Sequence, residues 1–235
     1  MPTLSVSCVA AKHFPVTHPA GRRVCSCYPA QIPRRSCSPM TITNAKLVLR
    51  TKCVVLGNSG TGKSALVQMF HSDGAQYPKT YAMTIHCDVC VKVVNIPDTN
   101  VSVELFIHDV GGNDAFQEYL PRYLESATSF IILYDTTNAE SFKSTARWLQ
   151  LAQKASSSKQ LLGCLVASKV DQTARRVVSA KQGEDLARAV GMMYFECSSA
   201  TNTDVDAPFY YISSAIHDLY EETVKSVSRT AGVPE

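Results

Sequence analysis

The string Gly57-Asn58-Ser59-Gly60-Thr61-Gly62-Lys63-Ser64 carries the densest chemistry in the chain. It fits the spacing G-x-x-x-x-G-K-[ST], in which a glycine-rich turn folds backbone N–H groups around an anion. Gly57, Gly60 and Gly62 lack the Cβ that would block that close approach. Lys63 supplies a compact positive charge for β- and γ-phosphates. Ser64 supplies a hydroxyl for Mg²⁺, at a helix N-terminus that favours negative charge. Ser59, Gly60, Thr61, Gly62, Lys63, Ser64 and Ala65 are therefore the expected phosphate contacts. At an average glycine usage of about 7%, a chance match in a chain this long has a probability of roughly one in a hundred. Context argues against a plain glycine turn as well. Cys53-Val54-Val55-Leu56 before the loop reads as a buried strand, and Ala65 to Phe70 after it reads as a helix.

A phosphate loop alone serves ATPases, kinases and GTPases, and later segments discriminate. Asp109-Val110-Gly111-Gly112 ends an apolar strand and opens a glycine loop. A carboxylate at a strand's C-terminal end can hold Mg²⁺ through water, and a glycine N–H can bond a γ-phosphate. Ser168-Lys169-Val170-Asp171 follows a second apolar strand. Asp171 can accept from the two N–H donors on the guanine edge. Adenine offers no such pair, and an unpaired buried polar group rejects the wrong partner by factors up to about 10⁴–10⁵. As an ordinary residue, Asp171 would be a turn or a helix cap. Finally, Glu196-Cys197-Ser198-Ser199-Ala200 ends a strand with a loop able to offer backbone N–H groups to the guanine oxygen.

These segments need a frame. The pattern predicts strands at 47–56, 87–96, 101–109, 128–134, 161–167 and 192–197, and helices at 63–71, 138–155, 179–190 and 208–227. Asn138 is the expected N-cap of the second of these helices, and Pro97 to Asn100 the turn of a hairpin. Residues 72–86 form a long polar loop. Strands alternating with helices imply an α/β domain with a six-stranded, mainly parallel sheet, one antiparallel edge strand, and five helices on both faces.

Composition bounds the rest. The chain of 235 residues suits one substantial domain plus a tail. No apolar run approaches the roughly 20 residues of a membrane helix. A net charge of +3 is too mild to argue for nucleic acid. That charge is uneven, because residues 1–40 contribute +5 and leave −2 for the remainder. This basic stretch is rich in Pro, Ser and Cys and has no helical or strand period. It reads as a disordered extension before a translation start at Met40, with a targeting peptide or metal or lipid chemistry as alternatives. Of nine cysteines, four lie there. Cys53, Cys164 and Cys197 sit in apolar runs, where a thiol behaves as a small hydrophobe. Cys87 and Cys90 are spaced C-x-x-C, which on a strand puts the thiols on opposite faces and argues against a metal or redox pair.

The ordered set GNSGTGKS, TYAMT, DVGG, YDTTNAESF, SKVD and ECSSA resembles the Ras superfamily, nearest its Rab branch, over about residues 46–225. Within that branch, SDGAQYPKTYAMT and VNIPDTNVSVELFIHDVGG resemble the Rab-like GTPase subunit of intraflagellar transport complex B. The resemblance implies a G domain over 46–228 with a short tail at 229–235. It implies bound GTP or GDP with Mg²⁺, held at the metal by Ser64, Thr84 and Asp109. It assigns the chemistry to Lys63, Thr84, Gly112 and Asn113, and the base to Ser168, Lys169, Asp171, Ser198, Ser199 and Ala200. It also implies a β-sandwich partner subunit, coiled-coil subunits of the transport train, and residence in cytoplasm and cilium or flagellum.

Three positions depart from that pattern. Asn113 stands where a water-orienting Gln is usual and is one methylene shorter, so slow hydrolysis is expected. Ser168 replaces the usual Asn, and Ser199-Ala200 the usual Ala-Lys. Each lost side-chain bond costs roughly 1 kcal/mol, or several-fold in affinity. The chain has no Cys after Cys197, so no lipid anchor of the usual Rab kind is expected. Three functions compete: a GTP-dependent switch in a transport complex, a scaffold with structural GTP, and a vesicle Rab anchored differently.

Overall fold

The structure, a computed structural model, describes residues 47–155 and 162–231. The expected extension at 1–40 lies outside the described residues.

Six strands form one sheet in the order β2-β3-β1-β4-β5-β6. They are β1 (Leu47–Leu56), β2 (Cys87–Asn95), β3 (Val101–Val110), β4 (Ser129–Asp135), β5 (Gly163–Ser168) and β6 (Met193–Glu196). Only β2 and β3 pair antiparallel, through the turn after Ile96, and β2 is the edge strand. The central strands are buried on both faces, with β4 and β5 buried along their whole length. This is why they read as continuous apolar runs.

Two apolar layers cover the sheet. Helices α1 (Lys63–His71) and α6 (Ala207–Ala231) pack on one face, where the Phe70 and Phe209 rings stack 3.9 Å apart. On the other face Leu120, Leu124, Trp148, Leu149 and Ala187 close the core. They come from α2 (Leu120–Leu124), α4 (Thr145–Ala155) and α5 (Ala180–Ala189). Cys87 packs toward this second layer and Cys90 toward the first, as the strand spacing predicted.

The element boundaries follow local chemistry. Asn138 caps α3 (Ala139–Lys143) by accepting from the backbone N–H groups of Glu140 and Ser141. Ser179 and Gln182 form a reciprocal capping box on α5. The one helix expected over 138–155 is broken at Ser144. Ser144 Oγ donates to Glu140 O at 2.8 Å and Thr145 Oγ1 to Phe142 O at 2.6 Å, so hydroxyls compete with the ladder there. The described residues therefore hold six α-helical segments, not five, with 3₁₀ turns at Asp114–Tyr119 and Thr173–Arg175 besides. The last helix, expected over 208–227, runs from Ala207 to Ala231. Among the described residues no helix is long and apolar enough to cross a membrane.

Candidate functional site

The sheet order reverses at β1: the chain goes from β1 out to β2 and β3 on one side, then returns to β4 on β1's other side. Open α/β sheets place ligands at such a switch point, beyond the carboxyl ends of the strands. Each motif singled out above emerges at that edge.

The phosphate loop joins β1 to α1. Gly60 and Gly62 take φ of +76° and +98°, backbone that L side chains rarely adopt. Lys63 is buried and its Nζ donates to Gly57 O at 2.8 Å and Asn58 O at 2.9 Å. Burial pulls its pKa down to about 8, only partly opposed by Asp109. An ammonium held against two carbonyls inside a glycine loop is poised for an anion.

Ser64, Thr84 and Asp109 converge from α1, the 72–86 loop and β3. Ser64 Oγ donates to Asp109 Oδ2 at 2.5 Å and lies 2.8 Å from Thr84 Oγ1, and Thr84 Oγ1 donates to Asp109 Oδ2 at 3.3 Å. Burial pushes the Asp109 carboxyl above its usual range, against the bonds from Ser64 and Thr84 and the Lys63 charge. Its Oδ1 is buried without a partner. Two hydroxyls and a carboxylate with an unpaired oxygen are the hard donors that Mg²⁺ prefers, so the residues present fit that ion. When bound, Mg²⁺ supplies charge neutralisation at the phosphates.

Gly112 sits under the phosphate loop. A Cβ there would meet Gly57 O at 2.2 Å and Asn58 C at 2.5 Å, so only glycine lets the two loops touch. Asn113 turns away: its Oδ1 accepts from Ala115 N–H at 3.0 Å, and its Nδ2 faces Met83 Sδ at 3.4 Å.

The base end lies on the next two strands. Ser168 is buried, and its hydroxyl reaches Thr61 O at 2.6 Å and Tyr134 O at 2.9 Å. It thus ties the phosphate loop to β4. Lys169 takes φ +59° and bonds Gly60 O at 2.8 Å and Asp135 Oδ2 at 2.7 Å. Burial works against the Asp135 carboxylate, but bonds from Lys169 and Thr137 outweigh it and hold its pKa below the usual range. Asp171 is exposed and accepts from Ser198 Oγ at 2.5 Å. Ser198 is buried and bridged to Thr203, while Ser199 and Ala200 form the turn between them.

The predicted residues are thus brought to one edge of the sheet in two groups. Sequence reasoning left three contacts unassigned. Asp135 pairs with Lys169; an acid three residues before the Asn138 cap was the available signal. Tyr81 Oη lies 3.0 Å from Ser59 Oγ, across the phosphate loop. Trp148 bonds Asn58, at a loop position where the motif accepts any residue.

A glycine loop between β1 and α1, two hydroxyls and a carboxylate gathered beside it, and an exposed Asp after β5 on a six-stranded, mainly parallel sheet are the features of a small GTPase fold. Residues 52–218 match the Ras family, and the chain belongs to it. It is 40% identical over 177 residues to the intraflagellar transport protein 27 homolog of Bos taurus, which covers 75% of this chain and 95% of that protein. It is 36% identical over 195 residues to intraflagellar transport protein 27 of Chlamydomonas reinhardtii, covering 81% and 94% respectively. It is also 30% identical over 178 residues to the Ras-related protein Rab-10 of Caenorhabditis elegans, covering 76% and 86%.

Proposed function

We propose that this chain binds GTP and GDP with Mg²⁺, hydrolyses GTP slowly, and acts as a Rab-like subunit of the intraflagellar transport B complex. The observation that carries the nucleotide reading is the convergence of Ser64, Thr84 and Asp109 beside a buried Lys63. The names of the relatives support the transport role. In this reading residues 46–228 are the nucleotide-binding domain, between the 1–40 extension and the 229–235 tail. The γ-phosphate orders 72–86 through Thr84 and 110–118 through Gly112. Lys63 holds the phosphates, Lys169 flanks the base, and Asp171 reads guanine. The loop Ser198-Ser199-Ala200 contacts the guanine oxygen. Ser168 anchors the phosphate loop. The partners are a β-sandwich subunit and coiled-coil subunits of the train, met in cytoplasm and cilium or flagellum.

Slow hydrolysis follows from Asn113, whose amide oxygen is engaged with Ala115 N–H and sits one methylene short of the usual reach. That same contact favours a second reading, in which GTP is structural and the subunit is a scaffold.

Titration with GTP, ATP and GDP in Mg²⁺ tests the first statement: GTP and GDP bind, and ATP binds far more weakly. Equal affinity for GTP and ATP sinks the guanine assignment. Capture of transport-complex subunits by GTP-loaded but not GDP-loaded protein supports the switch, and equal capture supports the scaffold.

A further inference from the structure

Asn58 joins three segments at one point. The indole Nε1 of Trp148, the single tryptophan of the chain, donates to Asn58 Oδ1 at 2.7 Å. Asn58 Nδ2 donates in turn to Ser144 Oγ at 3.0 Å, at the break between α3 and α4. Trp148 is buried in the second core layer, so its N–H has no water to replace that acceptor. On its other side the backbone of Asn58 lies against Gly112, where even a Cβ would stand 2.5 Å from Asn58 C. One residue before Trp148, Arg147 Nη1 pairs with Asp114 Oδ1 at 2.9 Å, two residues after Gly112. The guanidinium also lies 5.3 Å from the centroid of the Trp148 ring.

We propose that Asn58 and Trp148 are positioning residues. They hold the phosphate loop against α4 in the place where the Gly112 N–H meets a γ-phosphate, and so set the preference for triphosphate over diphosphate. The inference rests on the guanine-nucleotide reading above. Gly112 can approach only as closely as the Asn58 backbone allows, and the buried indole fixes that backbone from behind. GDP has no γ-phosphate for Gly112 to meet. Loosening the link therefore weakens GTP binding more than GDP binding, whereas a role in packing alone weakens both alike.

Trp148→Phe keeps a ring in the core and deletes the N–H. Ser144→Ala deletes the other bond, together with the local Ser144 Oγ bond to Glu140 O, at a half-buried junction away from the core, so it serves if the first variant fails to fold. Affinities for GTP and GDP are measured by competition in Mg²⁺ on the full chain. The expected result is a five- to tenfold fall in the GTP-to-GDP affinity ratio for Trp148→Phe and about threefold for Ser144→Ala, in proportion to the net worth of one hydrogen bond. GDP affinity stays within about twofold. Adding Asn58→Ala to Trp148→Phe lowers the ratio no further, because both act on one link. A ratio within about twofold of wild type in folded Trp148→Phe and Ser144→Ala overturns the proposal, as does an additive double variant. Wild-type protein that binds neither GTP nor GDP instead overturns the reading beneath it.

Discussion

At the phosphate end of the groove, Ser64, Thr84 and Asp109 reach one another from a helix, a loop and a strand, around an ammonium withdrawn from solvent. At the base end, Asp171 is exposed and held by a bond from the Ser198 hydroxyl. The first end concentrates groups that are unfavourable to bury. Lys63 is pulled down to about 8 by burial, Asp109 is pushed up by burial, and one Asp109 oxygen has no partner. A bound phosphate and cation would relieve those penalties together, so in the proposed reading this end gains stability from ligand. The second end carries little of that burden, and in the proposed reading it selects among bases by hydrogen-bond geometry. Affinity and selectivity are thus separable, and substitutions should separate them.

The largest effect is expected at the base. Asp171→Asn turns one acceptor into a donor facing the guanine N–H groups. The GTP-over-ATP preference should fall by up to about 10⁴-fold, while dependence on Mg²⁺ persists. Competition binding reads both at once. A preference that survives would move base selection away from Asp171 and erase the contrast between the two ends.

Next in size is Asp109→Asn. The neutral side chain keeps the acceptor for Ser64 and Thr84 and loses the charge. The gain in GTP affinity on adding Mg²⁺ should shrink about 100-fold, in line with a lost bond to a charged group. Chelation with EDTA should then change the variant little. Undiminished Mg²⁺ dependence would place the cation elsewhere.

The two ends were also unequally legible in the sequence. Lys63, Ser64 and Asp109 declare themselves because the chemistry fixes residue type and spacing, and each follows an apolar stretch, Cys53 to Leu56 before the loop and Leu105 to Ile107 before Asp109. β4 and β5 follow from near-continuous apolar runs, and the other strands from shorter apolar stretches set among polar residues. Thr84 needed the resemblance to a family, since a threonine in a polar loop has no period or partner in the sequence. The break at Ser144 was hidden because Phe142, Ala146, Leu149 and Ala152 keep helical spacing across it. The break comes from hydroxyl bonds to the backbone, which hydrophobic period does not register. Asn58 was silent because its role lies in a contact 90 residues away.

A pH dependence follows from Lys63. Its ordinary pKa is 10.5 in the unfolded chain and about 8 in the fold. Below pH 8 both states hold the proton. Between about 8 and 10.5 the unfolded chain keeps it and the folded chain sheds it, so stability without nucleotide rises with pH, by up to about tenfold in the folding constant per pH unit. Lys63→Met removes that slope, so urea melts at pH 7.5 and 9.5 should diverge from wild type in one direction only. Nucleotide, by adding phosphate charge, should flatten the wild-type curve. An identical slope in the variant would show that the phosphate end carries no such burden.

Asn113→Gln should raise single-turnover GTP hydrolysis about tenfold, less than the roughly 10²-fold or more that a positioned proton-transfer group contributes, and leave GTP and GDP affinities unchanged. The longer amide gives up the short bond to Ala115 N–H and gains the reach to a water beside the γ-phosphate. A rate that does not move would favour the structural-GTP scaffold.

The smallest expected effect joins the two ends. Ser168 stands on the base strand, yet its hydroxyl reaches Thr61 O in the phosphate loop and Tyr134 O on β4. One proton serves one carbonyl at a time, so the bond is shared and its net worth is about 1 kcal/mol. Ser168→Ala should weaken GTP and GDP alike, by about fivefold, without altering the preference for guanine over adenine. That uniform loss separates an anchor of the phosphate loop from a reader of the base. If selectivity fell with affinity, Ser168 would belong with Asp171, and the division between an end that holds and an end that selects would have to be drawn one strand nearer the phosphates.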